Sequence, residues 1–148
     1  MRNWSWLALG ALALAVCGSP AFADADAKKG KKVFKKCKAC HMVGEKAKKR
    51  VGPPLNDLFG RKAGGLDGFK YSKVMVGLGE AGLVWNEETL SEYLESPKKW
   101  LKAKAPELGL KCEDLSGCKS KMLFSGLRKK KDRANIVVYL KQFDKTPE

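Results

Sequence analysis

The segment Cys37-Lys38-Ala39-Cys40-His41 carries the chemistry that this sequence can do. Two thiols at i and i+3 lie on one side of a helical turn, and an imidazole follows at once. The spacing C-x-x-C-H is the attachment signature of c-type haem. The two sulfurs can bond the two vinyl groups on one side of the porphyrin, and the adjacent imidazole then faces the iron from the proximal side. Two other uses of a paired thiol compete with this one. A thioredoxin-like dithiol wants a βαβ context, and no such pattern surrounds it. A zinc ribbon wants a second short-spaced pair, and Cys112 and Cys118 stand too far apart for that.

His41 is the single histidine of the chain. No Ser-His-Asp or Cys-His catalytic arrangement can form once it is committed to iron. No second histidine can close the sixth coordination site either. The soft ligand left is methionine, of which there are four. Met1 leaves with a leader segment, and Met42, next to His41, cannot reach the opposite face. Met75 and Met122 both remain as candidates for the sixth position.

The leader is read from Arg2, the apolar run 7–16 and the A-x-A site at 21–23. Together they make a secretory signal peptide over residues 1–23, too short for a stable membrane span. The alternatives, a membrane anchor or a lipoprotein acylated at Cys17, fit less well, because bulky Val16 stands before that cysteine. Residues 24–148 then form one domain. Export to an oxidising compartment leaves four cysteines: the two of the motif, and Cys112 and Cys118, which are expected to form a disulfide. Two free thiols or a surface metal site are the alternatives. No second apolar segment approaches membrane length, so the processed chain is expected to be soluble. The chain carries a formal net charge of +14, which calls for an acidic partner: a protein face, anionic lipid or nucleic acid. Export counts against nucleic acid.

Three helices must position these residues. The first covers 26–37, capped by Asp24 or Asp26, with Ala27, Gly30, Phe34 and Cys37 on one stripe. The second opens at the N-cap Asn86, with Glu87 and Glu88 in its positive first turn, and stops at Pro97. The third covers 131–143 and buries Ile136, Tyr139, Leu140 and Phe143. Between them lie glycine- and proline-rich stretches, 51–68 and 101–121, that read as loops. Gly77-Leu78-Gly79-Glu80-Ala81-Gly82 matches G-x-G-x-x-G, but no helix cap follows it before Asn86, so it too reads as a loop rather than a dinucleotide site. Three helices and long loops leave too little for a protein-only core, which a buried apolar cofactor would complete.

Longer stretches of the sequence resemble the class I cytochrome c family, in particular its bacterial c2 and mitochondrial types. Residues 30–37 (GKKVFKKC) are similar to the family's first helix, and 51–55 (VGPPL) to its proximal loop, with Pro54 where many members have asparagine. Residues 58–62, 68–72, 85–90 and 93–99 follow the family in turn. Residues 120–126 (SKMLFSG) resemble its methionine-ligand loop, and 136–140 its last helix. Two insertions depart from the pattern, one between Tyr71 and Trp85 and a longer one between Trp100 and Met122.

The resemblance implies an all-α cytochrome c fold wrapped around one haem c, attached through Cys37 and Cys40. It implies His41 and Met122 as iron ligands and Met75 as a surface or core methionine. The Pro53 carbonyl would accept the His41 ring N–H. Arg61, Tyr71, Ser72, Trp85 and Ser120 would hold the propionates, and Tyr93 and Phe124 would line the crevice, although plain core packing competes for each aromatic. Gly30 would let the first and last helices approach, with Phe34 against Tyr139 and Leu140. Lys36, Lys98, Lys99 and Lys121, with 129–131 behind them, would ring the haem edge and meet acidic faces of redox proteins. The implied role is a periplasmic, monomeric, single-haem electron carrier of a respiratory or photosynthetic chain. Its partners would be a cytochrome bc complex, a terminal oxidase, a reaction centre or a dehydrogenase system, met in transient complexes. The rival classes are a haem enzyme or sensor with an open sixth site, and a basic membrane binder.

Overall fold

A computed structural model describes residues 22–145; most of the leader expected at 1–23 lies outside this range. The described chain is all-helical, with five helices: α1 (Ala27–Phe34), α2 (Lys73–Glu80), α3 (Glu87–Glu95), α4 (Pro97–Glu107) and α5 (Lys130–Lys141). The extended backbone is limited to one isolated bridge, Lys62 with Val84. No described helix is long and apolar enough to cross a membrane.

Helix α1 begins where Asp26 accepts hydrogen bonds from the backbone N–H groups of Lys28 and Lys29, at 2.7 and 3.1 Å. The backbone N–H of Asp26 itself donates to the Asn135 side chain at 2.9 Å, which ties the start of α1 to α5. Gly30 faces α5, where an added Cβ would stand 2.1 Å from the Asn135 carbonyl oxygen. Phe34 then meets Tyr139 with ring centroids 5.4 Å apart, and Tyr139 meets Phe143 at 5.2 Å. The α1–α5 pair makes the most extensive helix contact in the molecule.

Helix α1 is shorter than expected. It ends at Phe34, and the chain tightens into turns whose backbone N–H groups at Cys37 and Cys40 bond Phe34 and Cys37 carbonyls, at 2.8 and 3.0 Å. Two helices were read as loop. Pro97 does end α3, but it also starts α4, as proline can in a first turn where no N–H partner is required. The stretch around Gly77 and Gly79 is α2, and its glycines are packing sites. A Cβ on Gly79 would stand 1.9 Å from the Ala63 carbonyl oxygen, so only glycine lets α2 lie against that loop. Gly77 lies against Leu110 and Leu115 of the segment that follows α4. The two insertions thus pack on each other, with Val74, Leu78, Leu101 and Ala105 buried between and beneath them.

Candidate functional site

The turns after α1 deliver Cys37, Cys40 and His41 to the wall of an open cleft of about 280 Å³. Pro53, Arg61, Tyr71, Ser72, Trp85, Tyr93, Ser120, Met122 and Phe124 line the same cleft, brought there from α3 and from the three loops α1–α2, α2–α3 and α4–α5. Of the four lysines named above, Lys36 and Lys121 border it. Lys98 and Lys99 are exposed in the first turn of α4, away from its lining.

His41 is fixed from behind. Its Nδ1 lies 2.8 Å from the Pro53 carbonyl oxygen. A carbonyl can only accept, so the proton sits on Nδ1 and Nε2 keeps its lone pair. Burial pushes the imidazole pKa below its ordinary value; the bond to Pro53 opposes this and the charge of Arg61 supports it. Both effects leave a neutral ring with a free Nε2, the form that binds a metal. Gly52 was not singled out from the sequence. A Cβ there would stand 2.4 Å from His41 Cε1, so the missing side chain makes room for the ring.

Cys37 and Cys40 are free and half-buried. Burial pushes the Cys37 thiol up to about 11. A redox dithiol needs the opposite, a thiol whose pKa is depressed so that the thiolate is available at neutral pH. Among the described residues, no three His, Cys, Asp or Glu side chains are grouped as metal ligands.

Across the cleft wall, Tyr93 is buried and its hydroxyl donates to Met122 Sδ at 3.5 Å. Burial raises the Tyr93 pKa to about 12, so the hydroxyl stays protonated and remains a donor. Ser120 braces the same residue: its Oγ accepts from the Met122 N–H at 2.9 Å and lies 3.2 Å from the Met122 carbonyl oxygen. Trp85 is buried between Tyr93 and Trp100, with centroid distances of 5.2 and 6.0 Å. Arg61 donates to the Pro54 carbonyl at 3.2 Å and lines the cleft. Met75 is buried and also lines the cleft, so it is a core methionine and not a surface one.

A neutral imidazole with its outer nitrogen tied, two adjacent thiols and a thioether in one apolar cleft match the donor set of a covalently attached haem. Cys112 and Cys118 form a disulfide, with Cα atoms 4.9 Å apart.

Comparison with known proteins agrees with the geometry. A family model described as Cytochrome c matches residues 27–105. The chain is 48% identical to a cytochrome c2 from Afifella marina over 115 residues, covering 78% of this chain and 80% of the relative. It is 40% identical to cytochrome c-554 from Methylosinus trichosporium, covering 97% and 95%. The solved structure of cytochrome c2 from Rhodospirillum centenum superposes with a TM-score of 0.73 at 41% identity, covering 81% of this chain and 99% of that one.

Proposed function

Since the chain belongs to the cytochrome c family and is a c2-like single-haem electron carrier, we propose that it works in the periplasm, shuttling one electron at a time between redox proteins of a respiratory or photosynthetic chain. The haem supplies the one-electron ferrous–ferric couple. Cys37 and Cys40 would hold it through thioether bonds, their half-buried thiols lining the same cleft as the imidazole. His41 offers Nε2 to the iron, kept in orientation by the Pro53 carbonyl. Met122 would offer its sulfur as the second protein ligand, with the Tyr93 hydroxyl orienting the thioether. Thioether ligation and an apolar surrounding both favour the reduced state and raise the potential. Arg61, Tyr71, Ser72, Trp85 and Ser120 would hold the propionates, with Phe124 lining the cleft beside Met122. With His41 and Met122 both committed to the haem, the chain's own residues would bind it, orient it and exclude water.

The observation that carries this reading is the tautomer of His41. Its fixed Nδ1–H leaves Nε2 as the one basic nitrogen beside the Cys37–Cys40 pair. The signal-peptide pattern supports export, and the basic surface supports acidic partners such as a cytochrome bc complex, a terminal oxidase or a reaction centre.

The test is spectroscopic. The purified protein should keep one haem through acid-acetone extraction. Its ferric form should show a methionine-to-iron charge-transfer band. Met122→Ala should abolish the band and lower the potential, and Met75→Ala should do neither. Extraction of the haem would end the covalent reading, and the reverse mutant pattern would transfer the ligand to Met75.

A further inference from the structure

The chain entering Met122 has few means of support. Among the described residues, no backbone–backbone hydrogen bond involves residues 118–126. The downstream end is nevertheless well held. Leu127 N–H bonds the Leu94 carbonyl at 2.7 Å, and buried Arg133 grips the Leu127 and Arg128 carbonyls at 2.7 and 2.9 Å. Upstream, the backbone anchoring stops at the Gly117 N–H, which bonds the Cys112 carbonyl inside the disulfide ring at 2.7 Å.

Within that ring the backbone takes an unusual path. Ser116, Gly117 and Cys118 have φ of 59°, 72° and 52°, three successive residues in the left-handed region, of which only one is glycine. Such a run persists only where surrounding structure imposes it. Cys118 is 1% exposed, buried in the core beside the ring, and Leu115 and Leu110 seat the ring on Gly77 of α2. The segment then leaves the core at Lys119 and reaches Ser120, which brackets Met122 from both its N–H and its carbonyl, while Lys121 Nζ reaches the Lys70 carbonyl at 3.0 Å.

We propose that the Cys112–Cys118 disulfide is a positioning device for Met122, setting the direction in which the chain enters the ligand segment. It rests on the reading of Met122 as the sixth ligand. Opening the ring frees Ser116 and Cys118 to leave their left-handed conformations. The upstream anchor of Met122 then reduces to the side-chain hydrogen bonds of Ser120 and Lys121, and the sulfur spends more time away from the iron. The disulfide therefore governs access to the sixth position, a role separate from stapling the fold.

The experiment uses the intact haem protein. Dithiothreitol opens the bond by exchange. Its thiolate attacks the half-buried Cys112 sulfur, Cys118 leaves as the thiolate and takes a proton, and the reagent closes to its cyclic disulfide as Cys112 is released as a thiol. Iodoacetamide then blocks both thiols, and ferricyanide returns the iron to the ferric state. Cyanide uptake and the charge-transfer band are compared with those of the untreated protein, with a Cys112→Ser/Cys118→Ser variant as the second route. The expected result is cyanide uptake at least tenfold faster and a weaker band, with helical circular dichroism unchanged at the assay temperature. Unchanged uptake and band in both forms would overturn the proposal, and so would a loss of helix, which would make the bond a general staple. Met122→Ala with the disulfide intact separates the two readings: if it keeps the band, the ligand assignment has failed.

Discussion

Gly52 has no side chain where the His41 ring passes, and this sets how the imidazole is aimed. A methyl group there would overlap Cε1, Nδ1 and Nε2, at 2.4 to 2.8 Å. Gly52→Ala is therefore expected to turn the ring out of line with the Pro53 carbonyl. Overpacking of this kind costs about 1–3 kcal/mol. Guanidinium denaturation should show a loss in that range, together with a changed potential in voltammetry. An unchanged unfolding midpoint would mean that the ring yields without cost. At this scale the motif was legible because spacing alone carries C-x-x-C-H. Gly52 was not, because its meaning lies in a neighbour eleven positions back in the chain, and only the folded loop brings the two together. Met75 shows the same limit from the other side: both candidate methionines face the cleft, and elimination by sequence could not separate them.

Among the elements, α1 and α5 carry the frame that presents the motif. Gly30 is the point of closest approach, and an added Cβ would run into the Asn135 carbonyl at 2.1 Å and Tyr139 Cβ at 2.6 Å. Backbone cannot be moved aside as a side-chain tip can. Gly30→Ala should separate the helices and cost about 1–3 kcal/mol, outweighing the gain of up to about 1 kcal/mol from the better helix propensity of alanine. Thermal melting would check the sign, and a raised melting temperature would show that the helices can part freely. Helices α1 and α3 were legible from apolar stripes and the side-chain caps at Asp26 and Asn86, and α5 from its buried stripe without a side-chain cap. Helix α2 hid behind Gly77 and Gly79, residues of low intrinsic helix propensity that tertiary contact with the Ala63 loop overrides. Helix α4 hid because a proline that ends one helix can be the first residue of another. The disulfide was legible from export together with the even cysteine count left after processing, and its ring would contribute roughly 2 kcal/mol on a chain-entropy model.

Across the whole molecule, the charge is distributed so that attraction acts at long range. Exposed Leu123 and Val51 stand at the cleft with Lys36 and Lys121 beside them. Small apolar contact ringed by solvated lysines suits a partner that must arrive fast and leave fast. The rate of electron transfer to an acidic redox partner should fall steeply as added salt shortens the Debye length from about 10 Å toward 3 Å. Charge reversal at Lys36 or Lys121, which border the cleft, should slow it more than reversal at Lys46 or Lys48. Stopped-flow rates over a salt series would decide this, and equal effects at all four positions would leave only diffuse attraction. Net charge was legible in composition, whereas the face that uses it depends on where the folded loops leave the cleft open.

The seating of Leu110 and Leu115 on Gly77 has a consequence for how such a chain can change over generations. Neither insertion is a self-sufficient ornament. Helix α2 without the disulfide ring would present a bare glycine face to water, and the ring without α2 would leave its leucines uncovered. A lineage shortening one of these segments loses the partner surface of the other at the same stroke. The two lengths should therefore vary together, as a single inherited unit split across two places in the gene.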